Sequence, residues 1–123
     1  MEGNHCFNPA ENCNRSGLEY PVDEYGHDVG ICVIGGYTYY GKMFPSLYGY
    51  YLFGDWSGKL FYLLKDKKGD WQQGEVWTNG KNSNDIGVNI NSFGEDEDGE
   101  IYIMTQSSPG PKSATGAIYR LGF

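Results

Sequence analysis

Residues 92–105 read SFGEDEDGEIYIMT, and the fold assignment depends on what this stretch forms. Its middle holds five acids and one glycine, with strand-forming apolar residues on both sides. A calcium loop of the EF-hand type needs glycine at its sixth position and glutamate at its twelfth, whereas counting from Asp96 puts Gly99 fourth and Ser107 twelfth. Asp98-Gly99 is instead a strong two-residue hairpin signal. We therefore predict a hairpin whose acidic tip lies in water.

The composition around this stretch favours many short strands. The chain has 123 residues, which fits one domain or a piece of a larger one. Aromatic residues make up 16% and there are 19 glycines, a combination that suits pleated surfaces joined by tight turns. No stretch keeps a 3.6-residue apolar period, so little helix is expected. The predicted fold class is all-β.

The net charge of −7 and the pI of about 4.6 argue against nucleic acid and anionic membrane surfaces as partners. No apolar run approaches the length of a transmembrane helix. The first residues, MEGNHCFNP, lack the basic and apolar regions of a signal peptide, so none is expected in this chain.

Eight strands are predicted from β-propensity and turn signals. The first is demoted towards an edge strand by Pro21. They span residues 18–25, 31–40, 48–55, 58–65, 71–78, 88–96, 99–106 and 116–123.

Two of these strands are echoed further along the chain. Residues 49–54 resemble 99–104, and residues 58–63 resemble 116–121. A repeat of about 50 residues with four strands is typical of β-propellers. The prediction is two four-stranded antiparallel blades in a single unit covering 1–123.

The blades are permuted within the chain. Residues 1–30 supply a loop plus an outer strand, 31–78 a complete blade, and 88–123 a blade lacking its outer strand. Two blades cannot close a ring and leave exposed apolar faces. We expect completion to six blades by homo-oligomerisation, with a trimer favoured, or by a missing N-terminal region. Residues 18–25 could then complete the blade of a neighbouring copy.

Three cysteines leave at least one unpaired. Cys6 and Cys13 flank a polar loop and are predicted to form a short disulfide. A metal site made from these two thiols and His5 is the alternative, although it lacks a second close ligand pair. Cys32 lies in an apolar run and is predicted to be a small core residue.

Three motifs carry a family resemblance: EGNHCFNP…C…GLEYPVDEYGHDVGICVIGGYTYYG, YLFGDWSGKLFYL and SFGEDEDGEIYIMT…GAIYRL. Together they resemble the C-terminal part of the glucose/sorbosone dehydrogenase family, whose members include soluble aldose sugar dehydrogenases. The resemblance covers nearly the whole chain. It implies a six-bladed propeller, of which this chain would be roughly the last third, and a periplasmic or extracellular location.

The resemblance also implies pyrroloquinoline quinone and calcium as cofactors. The family's catalytic histidine lies on an earlier blade, so no catalytic residue is expected here and the chain alone should not oxidise sugars. Cofactor contacts would fall on Tyr40, where the family commonly has a basic residue, and on Lys59. A missing cation at Tyr40 removes a partner for a quinone carboxylate. No metal ligand is assigned.

The remaining candidates each have a structural alternative. His27 could line a central cavity or bond to neighbouring loop backbone. Asp55 is expected to close a turn. The tyrosines could stack on a sugar ring or pack between blades; they are Tyr37, Tyr39, Tyr40, Tyr48, Tyr50 and Tyr51. The alternative to a dehydrogenase-like fragment is therefore a non-enzymatic oligomeric module that binds carbohydrate or protein.

Overall fold

The computed structural model describes residues 1–78, 82–111 and 113–122. Sheet 1 contains β1 to β4 and sheet 2 contains β5 to β7, each in chain order and antiparallel throughout. A short 3-10 helix at Pro45–Leu47 lies between the first two strands. The strands are β1 (Val33–Thr38), β2 (Tyr51–Asp55), β3 (Leu60–Lys65), β4 (Trp71–Glu75), β5 (Asn89–Glu95), β6 (Ile101–Gln106) and β7 (Gly116–Arg120).

Glycine permits the tight turns at one end of each sheet. Gly58 (φ 104°) closes the turn from β2 to β3, and its amide donates to the Asp55 carbonyl at 2.9 Å. Gly99 (φ 79°) closes the turn from β5 to β6, with its amide 3.0 Å from the Asp96 carbonyl. Both values lie in the left-handed region that glycine adopts without strain. The hairpin predicted in the acidic stretch is confirmed, but its turn runs from Asp96 to Gly99 and is longer than the predicted two-residue turn.

The two sheets repeat the same strand register. Phe53 on β2 lies opposite Phe61 on β3, and Ile103 on β6 lies opposite Tyr119 on β7. These pairs are separated along the chain by the same offsets, 50 and 58, as the echoed sequences. The structure therefore reproduces the predicted repeat at the level of individual strand pairs.

The first strand of each sheet also carries the same irregularity. The register shifts after Ile34 in β1 and after Ile90 in β5, so that one extra residue bulges from each strand. A bulge of this kind bends and twists the strand. In sheet 1 it coincides with Gly36, where an added Cβ would lie 1.8 Å from the carbonyl oxygen of Leu52.

The sheets stack face to face, with β1 in contact with β5. Alternation along each strand sends every second side chain into this interface. Ile90, at its centre, is fully buried. The core cluster between the sheets comprises Tyr39, Leu52, Leu60, Val76, Ile90, Phe93, Ile101, Ile103 and Leu121.

Each sheet has a second face that points away from this interface. The outer face of sheet 1 carries Tyr51, Phe53, Phe61 and Leu63, and the N-terminal segment (residues 1–32) packs Tyr25 and Val29 against it. The outer face of sheet 2 carries Tyr102, Met104, Ile118 and Arg120, which alternate with inward-facing residues. The molecule thus ends in one partly covered apolar face and one open face.

Seven of the eight predicted strands are present, and one is wrong. Residues 18–25 form no strand, because within the described residues no neighbouring strand edge lies beside them and Pro21 has no amide to donate. Cys32 is exposed rather than buried, because it lines the cleft on the outer face of sheet 1, which the N-terminal segment covers only in part. Phe123, which the last predicted strand included, and residues 79–81 and 112 in predicted loops lie outside the described residues.

Candidate functional site

The acidic stretch ends in a buried carboxylate that ties the two sheets together. Glu100, just before β6, accepts hydrogen bonds from the Tyr39 hydroxyl at 2.8 Å and from the amides of Lys42 and Met43 at 2.9 and 3.0 Å. The Tyr39 hydroxyl in turn accepts from the amide of Phe44 at 3.0 Å. A side chain of sheet 2 therefore fixes the loop that follows β1 of sheet 1.

The charge on Glu100 is stabilised by these donors. Burial acts to raise the pKa of its carboxyl, but the Met43 amide, the Tyr39 hydroxyl and the Lys42 amide outweigh it. The pKa therefore lies below its usual range, as expected when hydrogen bonds favour the ionised form. Burial and the hydrogen bond to Glu100 raise the pKa of Tyr39, so its hydroxyl stays protonated and remains a donor.

The loop held by Glu100 presents an exposed apolar surface. Tyr40 and Tyr48 pack edge to face with their ring centroids 5.1 Å apart, and both are more than half exposed. Met43 is also exposed. We call these three residues the aromatic patch. Exposed apolar side chains carried on one loop mark a candidate interaction surface.

The tip of the acidic hairpin adjoins the aromatic patch. Gly99 approaches the Tyr40 backbone so closely that an added Cβ would lie 3.0 Å from the Tyr40 carbonyl carbon. The neighbouring side chains Glu97 and Asp98 are exposed. The junction between the sheets therefore combines a tyrosine pair with negative charge, on a loop held by the hydrogen bonds of Glu100.

Asp96 shapes the hairpin itself. Its carboxylate accepts from the amides of Glu100 and Asp98 at 2.9 and 3.0 Å and from the Tyr102 hydroxyl at 3.1 Å. The Glu100 amide is the main reason that the pKa of Asp96 lies below its ordinary value. In the part of the chain that the structure describes, no group of three or more His, Cys, Asp or Glu residues is arranged to hold a metal ion. The acids serve the turn and the junction.

A second buried carboxylate anchors the N-terminal segment. Asp55 is fully buried at the end of β2 and accepts from the Tyr25 hydroxyl at 2.9 Å and from the amides of Cys32 and Ser57, both at 2.8 Å. Burial acts to raise the pKa of Asp55, but hydrogen bonding from Ser57 and from the backbone before β1 lowers it overall. Burial, followed by the hydrogen bond to Asp55, raises the pKa of Tyr25 far above its ordinary value. Asp55 closes its turn, as predicted.

A cleft of about 540 Å³ lies between the N-terminal segment and the outer face of sheet 1. Phe53 and Leu63 contribute to its apolar floor, and Glu2, Asp23 and Glu24 lie along its rim. Its position follows from the Tyr25 anchor, because the Tyr25 ring stacks on Phe61 with centroids 5.3 Å apart. The N-terminal segment thus covers part of the face without filling it.

Tyr40 and Lys59, the two predicted cofactor contacts, are not brought together. Tyr40 lies two residues beyond the end of β1, whereas Lys59 lies in the turn beyond Asp55, which pairs with the first residue of β1. The length of the strand separates them by about 15 Å or more. The Lys59 ammonium group also donates to the Val29 carbonyl. A single quinone held by both residues does not fit the geometry of one chain.

Cys6, Cys13 and both histidines of the N-terminal segment have structural partners. Cys6 and Cys13 are joined by a disulfide, so these sulfurs are bonded to each other rather than held as free thiolates for a metal. His5 lies 3.4 Å from a Glu24 oxygen, and His27 lies 3.3 Å from a Glu2 oxygen. Both imidazoles are exposed on the N-terminal segment, and His27 pairs with a side chain rather than with the loop backbone.

The tyrosine cluster is divided between core and surface. Tyr39 is buried between the sheets, and Tyr50 packs against the same cluster with its ring 5.1 Å from that of Tyr62. Tyr37, in contrast, is exposed, like the two tyrosines of the aromatic patch. Packing between sheets therefore explains only part of the cluster.

No family model matches the chain. The chain is similar to part of Hedgehog-interacting protein. Over 92 residues it is 33% identical to the protein from Homo sapiens and 32% identical to that from Mus musculus. The match covers 72% of this chain but only 13% of each relative, so the chain spans a small part of their length.

The family assigned from the motifs, glucose/sorbosone dehydrogenase, stays a prediction.

Among the described residues, no helix is long and apolar enough to cross a membrane.

Sequence reasoning missed two of the residues that organise these sites. The acidic pattern groups Glu100 with the other acids of the hairpin tip, although its position directly before the buried Ile101 distinguishes it from the solvent-exposed acids. Tyr25 was treated as the end of a strand. Its partner Asp55 lies 30 residues away, and no local pattern links them.

Proposed function

We propose that the chain forms two consecutive blades of a β-propeller and acts as a non-catalytic binding module. The observation that carries the proposal is the 33% identity, over 72% of the chain, to a protein whose name states that it interacts with Hedgehog. The repeated strand register of the two stacked sheets supports the blade architecture. The separation of Tyr40 from Lys59 argues against quinone-dependent sugar oxidation by one chain.

The faces of the two sheets support ring completion. Leu60 on sheet 1 and Ile118 on sheet 2 occupy equivalent positions, 58 residues apart. Leu60 is 2% exposed because sheet 2 covers it, whereas Ile118 is 69% exposed. Another sheet stacked on Ile118 in the same way would bury it. In our proposal three copies stack head to tail into six blades, which is a closed cyclic arrangement; a longer polypeptide could supply the same sheets.

The binding surface in this proposal is the aromatic patch with the acidic hairpin tip. Tyrosine is enriched at the energetic centres of protein interfaces, where its ring supplies contact area and its hydroxyl a hydrogen bond. Because Glu97 and Asp98 adjoin the patch, its partner would be a protein with a basic surface. The Cys6–Cys13 disulfide supports an extracellular location, since disulfides persist in oxidising compartments.

The test is binding of a purified Hedgehog protein to the immobilised chain, measured by biolayer interferometry. We expect the double variant Tyr40→Ala/Tyr48→Ala and the double variant Glu97→Lys/Asp98→Lys each to weaken binding at least about tenfold, which is 1.4 kcal/mol. Trp77→Ala is the matched control, because Trp77 is an exposed aromatic residue outside the patch. Binding that both patch variants retain would contradict the proposed surface.

A parallel assay tests the proposal that the chain has no sugar dehydrogenase activity. The chain is mixed with pyrroloquinoline quinone, calcium, an aldose and an electron-accepting dye. We expect no turnover above the protein-free control. Reduction of the dye that depends on both the chain and the quinone would contradict the proposal.

Carbohydrate is the second candidate ligand, and the exposed edge-to-face pair of Tyr40 and Tyr48 favours it. Aromatic faces bury the apolar patches of sugar rings. A glycan array separates the two candidates. Sugar binding that Tyr40→Ala removes would favour a carbohydrate ligand at the same patch.

A further inference from the structure

Sheet 2 has a free edge where sheet 1 has a fourth strand. On sheet 1, β3 pairs with β2 on one side and with β4 on the other. On sheet 2, β7 pairs with β6 on one side, and its other edge has no strand partner among the described residues. Tyr119 on this edge is 56% exposed. An apolar unpaired edge is a template for another strand.

A cavity lies between the two sheets near the end of β7, because inward-facing residues of both sheets line it. Its volume is about 300 Å³, and its lining includes Tyr119, Arg120 and Leu121 from the end of the chain together with Ile86 and Val88 from the segment before β5. Added side chains could therefore find apolar surface near the end of β7.

Residues 18–22 carry a strand pattern that the molecule leaves unused. Leu18, Tyr20 and Val22 alternate along the chain, and their exposed fractions are 51%, 59% and 58%. Apart from the Leu18 amide, which donates to the Arg15 carbonyl, this segment makes no backbone–backbone hydrogen bond to the described residues. Period-two apolar side chains in an unpaired segment are typical of a strand that lacks a sheet.

The order of strands in the repeat indicates which position in a sheet residues 18–22 would occupy. In sheet 1 the fourth strand, β4, is followed by residues 76–88, which lead to the first strand of sheet 2. Residues 18–22 are followed in the same way by residues 23–32, which lead to β1. In chain order, the segment therefore corresponds to the fourth strand of a sheet that would precede sheet 1.

The segment cannot pair with β7 of its own chain. Pro21 and Asp23 line the cleft on the outer face of sheet 1, together with Phe53. Sheet 2 stacks on the opposite face of sheet 1. Sheet 1 therefore stands between the segment and β7, so residues 18–22 do not supply a fourth strand to sheet 2 of their own chain.

We propose that residues 18–22 of a second copy add to β7 as the fourth strand of sheet 2. Charge supports this pairing, because β7 carries Arg120 while Glu19 and Asp23 lie within or beside the segment. The inference rests on the proposed head-to-tail stacking, in which the outer face of sheet 1 in one copy meets the outer face of sheet 2 in the next. In that arrangement the N-terminal segment of one copy lies against sheet 2 of its neighbour.

The experiment combines light scattering with hydrogen–deuterium exchange of the chain at low and high concentration. We expect the amides of Gly116–Arg120 to exchange at least about tenfold more slowly in the assembled state than in the dilute chain. The variant Leu18→Ser/Tyr20→Ser/Val22→Ser should lose this protection, since its segment has no apolar side chains to bury. The control, Phe7→Ser/Trp77→Ser, removes exposed apolar side chains outside both the segment and the aromatic patch and should keep it.

The outcomes separate strand addition from stacking. If the chain assembles while β7 exchanges rapidly, or if β7 remains protected in the segment variant, strand addition is overturned and stacking stands. If the chain stays monomeric, a synthetic peptide of residues 16–25 is added in excess as the probe. Protection of β7 by the peptide supports strand addition without stacking, whereas unchanged exchange overturns both.

Discussion

Glu100 and Asp55 show how two buried carboxylates fix the geometry of this molecule. Each accepts three hydrogen bonds, and in each case a tyrosine hydroxyl is one of the donors. Charged groups are retained in protein interiors when donors of this kind compensate for lost hydration. Glu100 joins sheet 2 to the loop after β1, and Asp55 joins sheet 1 to the N-terminal segment.

The Glu100 junction should make stability depend on acid pH. Because the pKa of Glu100 is lowered by folding, its contribution is fully present above the ordinary glutamate pKa of about 4.3 and is lost as the pH falls through the folded value. Glu100→Gln should therefore lower Tm at pH 7. The difference in Tm between variant and wild type should shrink as the pH falls below about 4.5. Calorimetry across this range, with the exposed Glu97→Gln as control, measures the effect. A gap that stays constant down to pH 3 would contradict it.

The Asp55 anchor predicts coupled mutational effects. Asp55→Ala leaves the partly buried donors of Tyr25, Cys32 and Ser57 without their acceptor and should cost about 1–3 kcal/mol of unfolding free energy. Tyr25→Phe should cost about 1 kcal/mol, since it removes a single hydrogen bond. In urea denaturation the double variant should lose less than the sum of the two single variants, because both remove the same bond. Strict additivity would show that the residues act independently.

At the scale of the strands, the adjacent glycines of β1, Gly35 and Gly36, lie in different surroundings. A Cβ on Gly36 would collide with the Leu52 carbonyl oxygen on β2, whereas a Cβ on Gly35 would meet only the Tyr51 hydroxyl at an ordinary 3.7 Å. The Gly36 amide also donates to that hydroxyl at 3.0 Å. The bulge thus brings two strands closer at Gly36 than any side chain allows.

Gly36→Ala should therefore destabilise the fold strongly, and Gly35→Ala should not. We expect a loss of about 1–3 kcal/mol for Gly36→Ala, in the range of overpacking substitutions, and less than about 0.5 kcal/mol for Gly35→Ala. Chemical denaturation of the two variants side by side provides its own control. Equal losses would mean that the bulge relaxes to admit a methyl group.

Strands were predictable from the sequence wherever local pattern and local pairing agree. Alternating apolar residues and the Asp98-Gly99 turn predicted β5, β6 and their hairpin, because all the information lies within a few residues. Residues 18–25 carry a similar pattern but form no strand, since a strand also needs a partner edge. Pairing is set by tertiary structure, which propensity does not contain.

The site residues were less predictable, because their roles depend on distant partners. Glu100 acquires its role from Tyr39, which is 61 residues away in the chain, and Asp55 from Tyr25. The separation of Tyr40 from Lys59 depends on strand direction within sheet 1. Spacing along the sequence gave no sign that the two residues lie at opposite ends of the same sheet.

At the scale of the whole molecule, the repeat leaves two ends that match. By the repeat, the outer face of sheet 1 corresponds to the inner face of sheet 2, which contacts sheet 1. Likewise, the outer face of sheet 2 corresponds to the inner face of sheet 1, which contacts sheet 2. In the proposed assembly these ends stack head to tail, and such a series closes into a ring if the rotation per copy permits. The exposed Ile118 and the open cleft of sheet 1 are the expected signs of ends without neighbours.

The mass of the chain in solution tests this account most directly. Light scattering coupled to size-exclusion chromatography should give three times the 13.8 kDa mass of one chain, because in the proposed ring three pairs of sheets complete six blades. Ile118→Arg, which places a charge in the stacking face, should shift the mass to that of one chain. A wild-type chain that is folded and remains a monomer at high concentration would contradict the account.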